Sequence, residues 1–147
     1  MTVKPRFSVI TIGVEDVRRA ADFYEKLGFK RRMKNAPADE VAFFETGATA
    51  FSLFRWDRAA AEPGVPDQPR PTTFRGTTLA WNCNSNAEVD QAMAHALSIG
   101  AKVLKPAHKT DYGGYAGYFT DPDGHVWEVV TAPGITVRED GRVALPD

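Results

Sequence analysis

The chain has 147 residues, of which 43% are hydrophobic and 25% charged, the composition of an ordinary soluble globular protein. Its 18 basic and 19 acidic residues leave a net charge of −1, so the basic excess typical of nucleic-acid-binding domains is absent. No apolar run approaches the ~20 residues that cross a membrane, and the N-terminus lacks the apolar core of a signal peptide. We therefore expect a cytoplasmic protein with neither nucleic-acid nor membrane partners.

The first half of the chain predicts one helix and four strands. Residues 7–14 are β-branched and apolar, as in a buried strand. The apolar spacing of "EDVRRAADFYEKLGF" predicts a helix, and Gly28 is placed to end it. Three short strands follow in "KRRMK", "EVAFFET" and "TAFSLFRW". The apolar positions of the helix are Val17, Ala20, Ala21, Phe23, Tyr24 and Leu27.

A connector over residues 58–74 separates the two halves, because "DRAAAEPGVPDQPRPTTF" holds four prolines and little periodicity. The second half then begins with a strand in "GTTLAWNC". A helix in "SNAEVDQAMAHALSIGA" follows, with Ser85 or Asn86 as its N-cap and Gly100 at its end. Three more strands lie in "KVLKPAHK", "GYAGYFT" and "HVWEVVT". The apolar face of this helix comprises Val89, Met93, Ala96 and Leu97.

Each half therefore has the order β-α-β-β-β, and such a repeat predicts two related modules. We expect an α+β fold with a first βαβββ module at 6–57 and a second at 75–132. The tail, residues 133–147, resembles a hairpin turning at Asp140 and Gly141, and it would cover a sheet edge or a neighbouring subunit.

Two segments carry a resemblance to a known family. The helix "DVRRAADFYEKLGF" and the terminal "GGYAGYFTDPDGHVWEVV", in this order and spacing, resemble the vicinal oxygen chelate superfamily. It includes glyoxalase I, bleomycin-resistance proteins and extradiol dioxygenases, and the resemblance covers about residues 6–131. It implies a mixed sheet curled around a U-shaped cleft, with the helices outside. It also implies a homodimer, with modules pairing within one chain or between two.

The resemblance also implies four metal-ligand positions in the cleft. They fall on Val9, Ser52, Glu128 and either Thr78 or, with a shifted register, Thr77. Valine cannot coordinate a metal and neutral hydroxyls are poor ligands, whereas catalytic sites need three or four good ones. Only Glu128 is retained as a ligand-type residue, so we predict no cofactor and disfavour a divalent metal.

The histidines and the cysteine do not restore a metal site. His95 lies in the middle of a helix and His125 in an exposed turn, and His108 ends a strand where it is solvated or reaches the cleft mouth. Cys83, the only cysteine, excludes a disulfide framework and a zinc finger. No basic neighbour in sequence activates its thiol, so we expect a small core residue.

Strand alternation predicts which side chains face the cleft. If Glu128 does, Val126 and Val130 do as well, while Trp127 and Val129 pack under the helices. The loop "HKTDYGGYAGY" adds tyrosines among glycines, which suits a ring-bearing ligand. The predicted ligand-binding residues are Thr11, Ser52, Phe54, Thr78, Asn82, Tyr112, Tyr115 and Glu128.

Three functions are compatible with this cleft. The first is a protein that binds a small aromatic or cationic organic molecule, as bleomycin-resistance members do, without the usual metal centre. The second is an enzyme of the same superfamily, a lyase, isomerase or dioxygenase, with an atypical metal site or Glu128 as general base. The third is an interaction module whose cleft is filled by its own tail or by a partner. We favour the first.

Overall fold

The computed structural model describes residues 3–147. It divides into two compact units, Met1–Gln68 and Pro69–Asp147, and the division falls inside the predicted connector. Each unit contains one four-stranded mixed sheet, with two helices in the first unit and one in the second, which confirms the α+β class. Within the described residues, no helix has the length and apolar character needed to span a bilayer.

The first unit follows the predicted order β-α-β-β-β and then adds a short helix. Its sheet has the strand order β1-β4-β3-β2, in which β1 and β4 are parallel and the other pairs antiparallel. The elements are β1 (Val9–Val14), α1 (Val17–Leu27), β2 (Lys30–Arg32), β3 (Val41–Glu45), β4 (Ala50–Arg55) and α2 (Trp56–Ala61).

Helix α1 ends where the sequence predicts and buries the predicted face. The Asp16 carboxylate caps the helix by accepting the Arg19 N–H at 3.0 Å. Gly28 ends it at φ 120°, a left-handed value that favours glycine. All six predicted apolar positions are buried, and the Tyr24 ring meets that of Phe51 on β4 edge-on at 4.8 Å. This face of the sheet is therefore the core side of the unit.

Helix α2 was not predicted. The sequence predicted a strand that continues through Trp56, followed by a connector without regular structure. The strand instead ends at Arg55, and Trp56–Ala61 form one and a half turns of helix. Three consecutive alanines are strong helix formers and Asp57 is favourable in the first turn. The prolines begin only at Pro63, beyond the helix. A helix this short is below the length at which periodicity can be read.

The second unit repeats the architecture of the first. Its sheet has the order β5-β8-β7-β6, with β5 parallel to β8, so the corresponding strands occupy corresponding places. The two predicted βαβββ patterns are thus confirmed. The elements are β5 (Thr78–Asn82), α3 (Asn86–Ser98), β6 (Lys102–Lys109), β7 (Tyr115–Thr120), β8 (Val126–Thr131), β9 (Thr136–Val137) and β10 (Val143–Ala144).

Helix α3 begins where the sequence predicts, but its buried face differs at one position. Ser85 is the N-cap, since its hydroxyl accepts the Glu88 N–H at 3.1 Å. The predicted burial of Leu97 is wrong, because its side chain is 57% exposed. At 100° per residue Leu97 lies about 90° from the centre of the buried stripe. That stripe comprises Val89, Ala92, Met93 and Ala96.

The tail forms the predicted hairpin, with β9 antiparallel to β10 around Asp140 and Gly141. Asn84 holds it to the turn before α3. Its amide donates to the Val137 carbonyl at 3.0 Å and accepts the Val137 N–H at 2.9 Å. This side chain therefore pairs with the tail as a neighbouring strand would.

Candidate functional site

Strand β8 presents Glu128 on the sheet face that points away from α3. Trp127 and Val129, its neighbours in sequence, are buried, while Glu128 is half-buried. Because successive strand side chains alternate between faces, the buried pair holds the carboxylate on the opposite side. The predicted orientation of these three residues is confirmed.

The turn before β8 fixes where that strand begins. The buried Asp121 carboxylate accepts the N–H groups of Asp123 and His125, each at 2.9 Å. Gly124 has φ 86° and donates its N–H to the Asp121 carbonyl at 3.1 Å. His125, expected to be exposed, is instead half-buried, with its ring nitrogens 3.2 and 3.3 Å from an Arg75 guanidinium nitrogen.

Glu128 has a phenol as its direct partner on the neighbouring strand. Tyr118 of β7 stands opposite Glu128 in the antiparallel register, and its hydroxyl donates a hydrogen bond to the carboxylate. This bond, together with burial and nearby negative charge, raises the pKa of Tyr118 to about 12. The sequence pointed to Tyr118 only as one of three loop tyrosines, although the pairing of two adjacent strands would have placed it beside Glu128.

The other two predicted tyrosines lie elsewhere. Tyr115 is three residues from Tyr118 on the same strand, so it faces the α3 side, where its hydroxyl donates to Asp90 at 2.7 Å. Tyr112 is 56% exposed, and its charge contributes to the raised pKa of Tyr118. The structure thus pairs Tyr118 with Glu128 and places Tyr115 on the other face of the sheet.

The glycines beside Tyr112 form a tight turn. The Thr110 hydroxyl accepts the Gly114 N–H at 2.8 Å, and the Thr110 N–H donates to the Gly114 carbonyl at 2.9 Å. A Cβ at Gly114 would lie 2.5 Å from the carbonyl oxygen of Thr131. The expected glycine-rich loop is therefore a closely packed corner.

Strand β5 supplies the remaining predicted residues of this unit. Thr78 is exposed and Asn82 half-buried, and they pair with Val126 and Val130 of β8. Between them Ala80 is the residue directly beside Glu128. The small methyl side chain leaves one flank of the carboxylate open.

In the first unit the equivalent strand face carries hydroxyls. The Thr11 and Ser52 oxygens are hydrogen-bonded at 2.6 Å across β1 and β4, and Ser52 is buried. Phe54 lies on the same face as Ser52 by alternation and is half-buried. Gly13 is next along β1, and a Cβ there would lie 2.9 Å from the indole of Trp56, so this ring covers the sheet at Gly13.

The two units place one polar residue at the same register position. Ser52 is the third residue of β4 and lies beside the third residue of β1, Thr11. Glu128 is the third residue of β8 and lies beside the third residue of β5, Ala80. The predicted correspondence between Ser52 and Glu128 therefore holds in the paired strands.

Comparison with known proteins agrees with this repeated architecture. The sequence model of the Glyoxalase/Bleomycin resistance protein/Dioxygenase superfamily matches residues 6–129. The chain belongs to this superfamily. None of the curated proteins matches the sequence.

Three solved structures illustrate the relationship. A glyoxalase-related enzyme from Fulvimarina pelagi is 29% identical, with a TM-score of 0.84 over 97% of this chain and 99% of the other. A glyoxalase/bleomycin resistance protein/dioxygenase from Nocardioides is 21% identical, with a TM-score of 0.74 over 90% and 86%. Lactoylglutathione lyase from Agrobacterium tumefaciens is 21% identical, with a TM-score of 0.68 over 88% and 96%. The last two similarities show the fold alone.

The metal centre of metal-using superfamily members does not fit the donors present here. Among residues 3–147, no group of three or more His, Cys, Asp or Glu side chains is arranged to hold a metal ion. Val9 has no donor atom, the hydroxyls of Thr11 and Ser52 are bonded to each other, and Glu128 accepts the Tyr118 phenol. A single carboxylate falls short of the ligand set of a catalytic site.

The three histidines lie on different parts of the second unit. His95 is exposed in the last turn of α3, as expected for a surface position. His108 is half-buried on β6, with Nδ1 3.0 Å from the Pro106 carbonyl. Cys83 is buried in the second unit. Burial and the charge of Glu88 raise the pKa of its thiol to about 11. The prediction of a core cysteine is therefore confirmed.

Proposed function

We propose that this superfamily member binds a small aromatic or cationic organic molecule against the strand face that carries Glu128, without a metal centre. The observation that carries the proposal is the Tyr118–Glu128 pair. A half-buried carboxylate already hydrogen-bonded to a phenol still has unused acceptor positions, and Ala80 leaves its flank open.

The negative charge of Glu128 favours a ligand that carries a cationic group. A partly buried carboxylate costs free energy unless it is paired, and a ligand ammonium or amidinium group would supply the missing charge. The Tyr118 hydrogen bond orients the carboxylate without neutralising it.

The Tyr118 phenol favours an aromatic ring next to that cation. It is hydrogen-bonded to Glu128, and the exposed Tyr112 belongs to the same unit. Aromatic faces of this kind attract both rings and cations. We include Thr78 and Asn82 as flanking polar groups of this site. In the first unit, Thr11, Ser52 and Phe54 lie on the equivalent strand face and stay predicted ligand contacts.

A thermal-shift panel of aromatic amines, run in the presence of a chelator, tests this proposal. We expect at least one amine to raise the melting temperature of the wild-type protein and to lose that effect in Glu128→Gln. Glu139→Gln, which removes the same charge from the exposed tail turn, is the matched control and should respond as the wild type does. A panel without any stabilising amine, or equal stabilisation of Glu128→Gln, would reject the proposal.

An enzyme is the second candidate, and the same pair supports it. Glu128 and Tyr118 together offer a proton acceptor and an adjacent donor, and a 29% identical relative is described as a glyoxalase-related enzyme. Glu128 would then act as the general base. Incubating each stabilising compound with the protein and following it by NMR separates the candidates, since turnover that falls about 10²–10⁴-fold in Glu128→Gln would favour the enzyme.

A homodimer and a cytoplasmic location stay predictions. Light scattering on the purified chain tests the first, because a dimer has twice the 16.1 kDa mass of this chain. Fractionation of the source cells tests the second.

A further inference from the structure

Strand β2 carries a concentration of positive charge at the edge of the first sheet. The order β1-β4-β3-β2 leaves β2 with a neighbour on one side only. An open depression of about 540 Å³ lies beside this strand. Its lining residues are Glu25, Phe29, Lys30, Arg31, Arg32, Met33 and Lys34.

The cations of this depression are mostly uncompensated. Arg32 pairs with Glu45 at 2.6 Å. Within the described part of the chain, Lys30, Arg31 and Lys34 make no ion pair, although Glu25 also lines the depression. Three unpaired cations and one carboxylate therefore line the depression.

Arg31 differs from the lysines because part of its guanidinium is buried. It stands opposite Phe44, which is 1% exposed on the core side, so Arg31 points toward the end of α1. Its Nε is buried and has no hydrogen-bond partner among residues 3–147. A buried N–H without an acceptor is costly, and a small movement of the Arg31 side chain would let this donor bind an anion in the depression.

Protection of the sheet edge accounts for only part of this pattern. Lysines on an edge strand discourage pairing with other chains, which suits the exposed Lys30 and Lys34. Edge protection needs charges in water, whereas Arg31 places its Nε out of water. A bound anion accounts for both features.

We propose that this depression binds a small phosphate-bearing anion, with Arg31 as the principal donor and Lys30 and Lys34 as supporting charges. Guanidinium groups match phosphate oxygens with parallel N–H donors, and ammonium groups add charge without fixed geometry. The chain turns at Met33 (φ 49°), and Lys34 beyond it lines the same depression. A net charge of −1 for the whole chain favours a small anion over nucleic acid.

Titration calorimetry with inorganic pyrophosphate at about 0.15 M salt tests this site. The wild-type protein should bind it saturably, and Arg31→Met should weaken binding by about tenfold or more. Arg58→Met makes the same charge change on the exposed helix α2, and its affinity should stay within about twofold of the wild type. Circular dichroism establishes that each variant is folded.

Arg31→Lys keeps the charge and removes the guanidinium fork, so it should also weaken binding, and it carries the test if Arg31→Met does not fold. Absence of saturable binding by the wild type would overturn the proposal. Equal losses of pyrophosphate affinity in Arg31→Met and Arg58→Met would also overturn it, because they would show only long-range attraction to positive charge. Displacement of pyrophosphate by a single-stranded oligonucleotide at a lower phosphate concentration would assign the surface to nucleic acid instead. This inference does not depend on the proposed function at Glu128.

Discussion

The hydrogen bond between Tyr118 and Glu128 is the most consequential contact at the scale of single residues. It joins Glu128, the carboxylate predicted at a superfamily ligand position, to a phenol on the neighbouring strand. The carboxylate favours the protonated phenol, which is why the pKa of Tyr118 rises to about 12. The polar partner of Glu128 in this unit is thus a side chain of the same sheet.

Replacing Glu128 by Gln should lower the pKa of Tyr118 from about 12 toward the ordinary value of about 10. Phenolate absorbance across an alkaline titration measures this pKa. The contribution of Tyr118 is the difference between each protein, wild type or Glu128→Gln, and the same protein carrying Tyr118→Phe. A tyrosine titration that is identical in wild type and Glu128→Gln would show that the bond does not control this phenol.

The same shift has a consequence for stability. A folded-state pKa above the unfolded value stabilises the fold fully below about pH 10, and the contribution is lost as pH rises through about 12. Glu128→Gln should reduce this alkaline loss, and denaturant unfolding at neutral and alkaline pH would compare the two proteins.

Cys83 provides a second prediction at this scale. Its thiol is 6% exposed, and its pKa is raised to about 11, mainly by burial. We expect almost no reaction with a disulfide-exchange reagent at neutral pH until denaturant unfolds the chain. Rapid reaction of one thiol per chain in the folded protein would contradict this burial.

At the scale of elements, two glycines of the second unit differ in what lies beside them. One packs against rigid backbone and the other against a flexible side chain. A Cβ at Gly114 would meet the Thr131 carbonyl oxygen at 2.5 Å, and one at Gly117 would meet the Met93 side chain at 2.9 Å. Backbone cannot move aside as a methionine side chain can.

Gly114→Ala should therefore destabilise the protein more than Gly117→Ala, for which we expect about 1–3 kcal/mol. Denaturant unfolding measures both. Met93→Ala should relieve part of the Gly117→Ala cost in a double-mutant cycle and leave the cost of Gly114→Ala unchanged. Equal costs for the two glycine variants would contradict the packing described for these positions.

Strand alternation and helix signals made most elements predictable from the sequence. A period of two placed Trp127 and Val129 opposite Glu128, and the apolar spacing and Gly28 defined α1. The same alternation separates Tyr115 from Tyr118, but grouping them as loop residues concealed it. The segment "GYAGYFT" was also predicted as a strand, and applying its alternation to the tyrosines would have removed Tyr115 from the predicted site.

Features that depend on contacts between distant residues were not predictable. The short helix α2 packs Trp56 over Gly13, a relation between positions 43 residues apart that no local pattern encodes. Likewise His125 meets Arg75, 50 residues away, and so is less exposed than its turn position indicated. Leu97 was misplaced because it lies at the margin of the α3 stripe, where tertiary packing decides burial.

At the scale of the whole molecule, the chain has the repeated βαβββ framework of its superfamily, and its two units carry different side chains at the repeated position. Ser52 and Glu128 occupy one register position in the two sheets, yet only one of them is a metal-ligand type. A fold does not dictate a reaction, and the donors at this position determine what it can bind. On this ground we propose that the scaffold binds an organic molecule rather than a metal.

Elemental analysis of the untagged protein tests this conclusion most directly. The protein would be incubated with Zn²⁺, Ni²⁺ and Mn²⁺, passed through a desalting column and analysed beside Glu128→Gln. We predict no divalent ion near stoichiometric amounts in the wild type and no difference between the two proteins. About one retained ion per chain in the wild type, lost in Glu128→Gln, would show that Glu128 serves a metal centre and would contradict the account.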